Sequence, residues 1–328
     1  MTLVALLSNP RSTGNKSQLP RIRSFCARER DIFHYEVEEI GQIGEALRTI
    51  ARVKPKLIIL NGGDGTVQAA LTELHQGGHF GCPGSDCAPP PVAVLPNGKT
   101  NLIAQDLGVA GDPISALRRI LDLARTDMAP HIVERELIAL SHDGGVRPVL
   151  GMFLGGAGLA DTMLYCRNKL YPLGLPNWLA HGLTLVLGLA GVLSAHQARF
   201  LPPAPGELTV SVTRSGVKQG RFALLMVTTL QRLLFSGNLS IAGQPGGSMQ
   251  LLLIDRSFPA LMRAFVAGIR GRLGHRQLHG VHLERGDEIR IEGARSSVIL
   301  DGEMFEAETG RPIVLRPTPP VSFLKLAA

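Results

Sequence analysis

The sequence predicts an α/β N-terminal domain with a parallel sheet, followed by a β-sandwich-like C-terminal domain with inserted helices. Three observations carry this. Short apolar runs alternate with helical segments over the first ~125 residues, the rhythm a parallel sheet demands. Beyond about residue 130 the rhythm changes to short strand-like runs with fewer helices between them. Glycine-bearing turns follow the apolar runs directly, at the strand ends that a parallel sheet lines up on one edge. The domains are residues 1–130 and 131–328, with the last ~15 residues able to pack back on the first.

Residues 3–7 read as a buried strand, followed by a helix over 18–30. Residues 32–37 are a second strand, and Ile43, Leu47 and Ile50 place an apolar face on the next helix. The third strand, 57–60, runs into Asn61-Gly62-Gly63-Asp64-Gly65-Thr66 and a helix over 67–74. The fourth, 92–95, ends in Pro96-Asn97-Gly98-Lys99-Thr100-Asn101 and a short helix stopped by Gly108. Asp112 and Pro113 supply the N-cap and first-turn proline of a helix through Ala124. In the second domain 132–140, 149–154, 207–213 and 222–228 are strand-like, joined by 289–292, 297–300 and 313–315. Helical segments are expected at 159–170, 178–195 and 258–273.

Bulk properties narrow the function. A net charge of +7 favours an anionic partner: a phosphorylated substrate, nucleic acid or an acidic membrane surface. Aromatic residues are only 5 % and no basic run is interleaved with them, so base stacking has no platform and no nucleic-acid partner is expected. Four cysteines in 328 residues do not make a disulfide framework. The apolar stretch 2–8 is short, lacks a basic leader and breaks at Asn9-Pro10, which reads as a cytoplasmic chain. The longest apolar run, 183–195, falls short of the ~20 residues a bilayer span needs.

The chemistry-bearing segment is Gly62-Gly63-Asp64-Gly65-Thr66 between a strand and a helix. Its glycines let backbone N–H groups reach phosphate oxygens, and the helix behind offers its N-terminus to the same anion. Asp64 is placed to hold Mg²⁺ bridging the phosphates, and Thr66 to donate a hydroxyl hydrogen bond. A plain strand-to-helix turn with Asp64 as N-cap is the alternative. Gly98, Lys99 and Thr100 form a second such turn, Lys99 adding a mobile positive charge or a merely solvated one. Asn9-Pro10-Arg11-Ser12-Thr13-Gly14 forms a third turn on the same edge.

These three turns, in this order and spacing, resemble those of the diacylglycerol kinase catalytic-domain family, which includes bacterial diacylglycerol-, sphingosine- and ceramide-type lipid kinases. Leu300-Asp301-Gly302-Glu303 is similar to the family's Asp-Gly-Glu motif. The resemblance implies ATP and Mg²⁺ as cofactors. It implies nucleotide contacts from Asn9, Gly62, Gly63, Asp64, Gly65, Thr66, Gly98, Lys99 and Thr100. Asp301 becomes the base that takes the proton of a lipid hydroxyl, with Glu303 nearby. By residues alone, Asp301-Gly302 reads as a hairpin turn between two strands. Diacylglycerol is the default acceptor, with ceramide or a sphingoid base as alternatives. An NAD kinase shares the loop, but no Asn-Glu dipeptide occurs here; a non-catalytic lipid- or nucleotide-binding protein is the other competitor. The chain departs from the family at Lys99, at Ala69 and at Pro245-Gly246-Gly247-Ser248-Met249-Gln250, where a second, structural magnesium site loses its acidic residues.

A lipid kinase implies a peripheral position at the inner face of the membrane. Two segments fit that: the glycine-rich apolar region 170–195, and 258–276, where Arg263, Arg270, Arg272 and Arg276 oppose Leu261, Phe265, Ile269 and Leu273. A helix packed on the core with a solvated basic face explains the second equally. His75, His79, Cys82 and Cys87 lie close together but match no common zinc spacing.

Overall fold

The computed structural model describes residues 3–80, 89–98, 101–142, 147–160, 206–230, 247–274, 276–293, 296–307 and 310–326. Two compact units emerge. The first comprises 1–137, 149–151 and 318–328, and the second 138–148 and 152–317.

The first unit is built on a six-stranded sheet of β1 (Val4–Ser8), β2 (Ile32–Glu36), β3 (Leu57–Asn61), β4 (Val92–Val94), β5 (Ile132–Arg135) and β18 (Val321–Leu324), in the order β2-β1-β3-β4-β18-β5. All pairings are parallel except β5 with β18. The central strands explain themselves. Val4–Leu7 and Leu57–Leu60 are unbroken apolar runs and fully buried, as strands covered on both faces must be. The helices of this unit are α1 (Asn15–Cys26), α2 (Ile43–Arg52), α3 (Asp64–Gln76), α4 (Leu102–Asp106) and α5 (Pro113–Arg125). Helix α5 begins as its sequence dictates, with Asp112 accepting from the Ser115 N–H at 3.1 Å and Pro113 in the first turn. Helix α1 starts three residues before its predicted start, at Asn15, because that residue's amide is needed in the turn before it; it runs through Pro20 and stops at Cys26.

The edge strand β2 contributes one titratable group. His34 is partly buried, with Nε2 2.9 Å from the Ser8 hydroxyl, which also accepts from Asn61 Nδ2 at 2.8 Å. Burial, more than the neighbouring Arg23, lowers its pKa below the usual 6.5, against the opposing pull of Glu36. The unfolded chain therefore takes up this proton first, and stability falls as pH drops below about 6.5. His75, lowered by burial, adds in the same direction. Melting curves from about pH 7 to about pH 5 should show a slope that His34→Gln reduces.

The second unit holds two antiparallel sheets. In one, β6 (Ile138–Ser141), β7 (Val149–Gly151), β9 (Leu208–Val212), β10 (Gly216–Gly220), β14 (Ile289–Gly293) and β17 (Ile313–Pro317) run in the order β10-β9-β14-β17-β6-β7; β7 itself clusters with the first unit. The other holds β8 (Phe153–Gly156), β11 (Phe222–Thr228), β12 (Met249–Asp255), β13 (Val281–Gly286), β15 (Ser296–Leu300) and β16 (Glu303–Ala307), ordered β13-β12-β11-β8-β15-β16. Helix α6 (Phe258–Ile269) packs on β12 and β13.

Several expectations change here. The run 132–140 is two strands in different sheets. It breaks at Leu137, whose N–H donates to Thr318 Oγ1 at 3.0 Å and whose carbonyl accepts the Thr318 N–H. The run 149–154 likewise divides into β7 and β8. Helix 258–273 ends at Ile269, and its large apolar side chains do not share one buried face: Leu261 and Leu273 pack inward while Phe265 and Ile269 are exposed. The helical expectations over 161–195 and the turn residues Lys99 and Thr100 lie outside the described residues. Among the described residues no helix is long and apolar enough to cross a membrane, and no three metal-ligating side chains cluster. His79 instead faces Glu73, 3.7 Å away.

Candidate active site

The order β2-β1-β3-β4 sends the chain one way after β1 and the other way after β3. Such a switch point opens a crevice beyond the strand C-termini, the usual ligand position in open α/β sheets. The turns after β1, β3 and β4 all lie there.

What knits them is a set of buried asparagines. Asn9, Asn61 and Asn97 each stand at or just beyond a strand's end, and Asn15 opens α1. Asn15 Nδ2 donates to the carbonyls of Asn9 (2.7 Å) and Asn61 (3.1 Å). Asn97 Nδ2 donates to Asn15 Oδ1 (3.0 Å) and Asn61 Oδ1 (2.5 Å). Asn61 reaches on to Ser8, and so to His34. An amide side chain both donates and accepts, so four of them cross-link three turns with their buried polar atoms satisfied.

The predicted ligand-binding residues divide on this scaffold. Asn9 and Thr66 hold each other: Asn9 Nδ2 donates to Thr66 Oγ1 at 2.8 Å, and Asn9 Oδ1 accepts the Arg11 N–H at 2.9 Å. Both are buried, and they tie the turn after β1 to the turn after β3. Gly62 must lack a side chain because a Cβ would sit 2.6 Å from Thr66 Cβ. Gly63 is the N-cap of α3, so Asp64 is its first helical residue and not a cap. The Gly63 N–H donates to Ser12 Oγ at 2.9 Å, and the Gly98 N–H to Asn101 Oδ1 at 2.6 Å, Asn101 itself holding left-handed backbone (φ 53°). A Cβ on Gly98 would lie 3.3 Å from Gly63 Cα and 3.4 Å from Asp64 Oδ1. The turns after β3 and β4 therefore meet at Gly63, Asp64 and Gly98, with two backbone N–H groups held by polar side chains at the mouth of α3.

Close approach sets a stability test. Gly14 has ordinary helical backbone (φ −69°), but a Cβ there would stand 2.6 Å from the Asn97 carbonyl oxygen. Gly14→Ala is therefore expected to cost about 1–3 kcal/mol by overpacking, read as a lower midpoint in urea.

Mg²⁺ is the ion the resemblance implies, and the residues fit it. Magnesium takes one or two protein carboxylates and keeps its other positions for phosphate and water. Asp64 offers one carboxylate beside a glycine-lined turn, with its Oδ1 over Gly98.

Asp301 lies in the second unit. Asp301 and Gly302 form the two-residue hairpin turn between β15 and β16, both with positive φ (45° and 92°). A hairpin-tip aspartate ordinarily faces water, yet this one is only 7 % exposed. Its Oδ2 accepts the Met152 N–H at 2.9 Å, its Oδ1 the Phe153 N–H at 3.0 Å, and its own N–H donates to the Phe153 carbonyl at 2.9 Å. Glu303, two residues on, is exposed.

Asn15, Asn61, Asn97, Ser12 and Asn101 were not predicted as site residues. For Asn61 and Asn97 the signal was an asparagine recurring at the strand ends, as at Asn9, legible only once the strands are set side by side.

A crevice of glycine turns at a helix N-terminus with one carboxylate is a geometry suited to phosphate, carried on an α/β domain. Residues 3–130 match the family profile of the diacylglycerol kinase catalytic domain. The fold of the whole chain is similar to two solved structures from Bacillus anthracis str. Sterne. One is a provisionally assigned diacylglycerol kinase (TM-score 0.62, 18 % identity, covering 97 % of this chain and 94 % of that one); the other is a diacylglycerol kinase (0.61, 16 %, 98 % and 96 %). It is also similar to an NAD kinase from Archaeoglobus fulgidus solved with ATP (0.51, 13 %, 98 % and 94 %). No curated protein matches the sequence.

Proposed function

We propose that this chain is an ATP-dependent lipid kinase, moving the γ-phosphate of ATP to the hydroxyl of a neutral lipid, with diacylglycerol as default acceptor. The observation that carries the reading is the meeting of Gly63, Asp64 and Gly98 at the N-terminus of α3, within residues that match the diacylglycerol kinase catalytic domain.

In this reading the Gly63 and Gly98 N–H groups, which donate to Ser12 and Asn101, turn to phosphate oxygens when nucleotide binds. Asp64 would hold magnesium, which would supply charge neutralisation on the phosphates when bound. Asp301 takes the acceptor hydroxyl's proton as that oxygen bonds to the γ-phosphorus and the bond to the bridging oxygen breaks, releasing ADP. Glu303 remains a secondary candidate from the resemblance alone.

NAD as acceptor is the second reading, favoured by the fold's likeness to NAD kinases and opposed by the missing Asn-Glu pair. Both are tested by incubating the chain with γ-labelled ATP-Mg and a panel of diacylglycerol, ceramide, sphingosine and NAD. Label in a lipid supports the kinase and names its acceptor. Label in NAD alone replaces the reading, and label in none removes it.

A further inference from the structure

Helix α6 is inverted relative to an ordinary surface helix. It rests on its sheet through small side chains, with Ala260 and Ala264 buried and Leu261 only partly covered beside Leu252 and Ile254. Its large side chains point out: Phe265 is 54 % exposed and Ile269 64 %, with Phe258 and Val266 exposed beside them. Among the described residues, four of the seven exposed large hydrophobics belong to this one helix. An amphipathic helix in a water-soluble surface normally shows the opposite arrangement.

Charge follows the same segment. Between Asp255 and Glu284 the sequence contains no acidic residue and five arginines. Arg263, Arg270, Arg272 and Arg276 line a hollow of about 690 Å³ together with Met262 and Val266. Arg263 donates to the His279 carbonyl. Among the described residues, Arg270, Arg272 and Arg276 are exposed and meet no carboxylate at ion-pair distance. Unpaired guanidinium groups thus line one hollow with the exposed Val266, on the helix that also exposes Phe265 and Ile269.

We propose that this face docks the protein on an anionic bilayer, with Phe265 and Ile269 entering the acyl boundary and the arginines meeting lipid phosphates. The chemistry favours this occupant over others. Apolar side chains on a helix lying in the interface plane gain by burial, and basic ones gain by the negative surface potential. A nucleic-acid strand would pair with the arginines and leave Val266 and Ile269 without a role. A two-fold contact with a second copy would set unpaired arginines against the same arginines. The inference stands on α6 and its flank, and not on the kinase reading.

Co-sedimentation of the full chain with vesicles tests it without any activity measurement. Vesicles of phosphatidylcholine alone are compared with vesicles in which about a third of the lipid is phosphatidylglycerol. Binding to the anionic vesicles should be at least about tenfold tighter and should weaken as salt rises from about 0.1 to about 0.5 M. R270Q/R272Q/R276Q should remove that preference, and F265S/I269S should lower binding about tenfold. All these side chains are exposed, so both variants should melt with the wild type; were one to melt early, the other would decide. Equal binding to both vesicle types, or variants that bind as the wild type does, would overturn the proposal. So would duplex DNA or self-association that responds to the same variants while vesicles are ignored.

Discussion

Asp64→Asn is expected to lower phosphoryl transfer about 10³-fold while nucleotide-free protein melts within a few degrees of wild type. The substitution keeps the shape of the side chain and removes only its charge. Two roles for that charge predict different sizes of effect. As a first-turn acid on α3 it complements the helix dipole, which contributes about 0.3–1 kcal/mol and nothing to turnover. As the carboxylate that would hold magnesium it would place the cation that offsets the charge of the transferring group, and losing it would raise the barrier by several kcal/mol. The approach of its Oδ1 to Gly98, on the neighbouring turn, favours the second. The measurement is kcat at saturating ATP-Mg, with nucleotide affinity from a separate titration. A fall of tenfold or less would return Asp64 to a helix-terminal charge and take the metal role from it.

The parallel half of the molecule was legible because its signals are local. Unbroken apolar runs at 4–7 and 57–60 read as doubly covered strands because glycine turns mark their ends. What makes those turns a site was not legible, since the Asn15–Asn97 and Asn61–Asn97 bonds join residues far apart in sequence. The break at Leu137 has the same cause: its partner, Thr318, lies 181 residues away. Strand β12 was missed because Leu251, Leu252, Leu253 and Ile254 lack alternation, and a short apolar run without it reads as helix or strand alike. On α6 the four-residue apolar spacing was read correctly as helix, but which of its residues the sheet covers was not legible. The sheet chose Ala260 and Ala264, because small residues let a helix sit close.

Asp301 is where the two sequence readings, hairpin turn and catalytic base, coincide, and the structure gives each a measurable consequence. Asp301→Ala would leave the Met152 and Phe153 N–H groups unpartnered in a buried setting and put Ala at φ 45°, costing about 2–4 kcal/mol. Its inactivity would therefore prove little. Asp301→Asn is the informative change, because Asn tolerates left-handed backbone and keeps one acceptor, losing about 1–3 kcal/mol. If the carboxylate takes the acceptor's proton, kcat should fall a further 10²–10⁴-fold with ATP affinity unchanged. If Asp301 only ties the β15–β16 turn to Phe153, kcat at a temperature well below the melting point should stay within about tenfold of wild type. Both oxygens accept a backbone N–H, and a carboxylate oxygen has more than one lone pair, so anchoring and proton transfer are compatible in one side chain. The split between melting point and kcat, and not the loss of activity alone, decides whether the anchor is also the base.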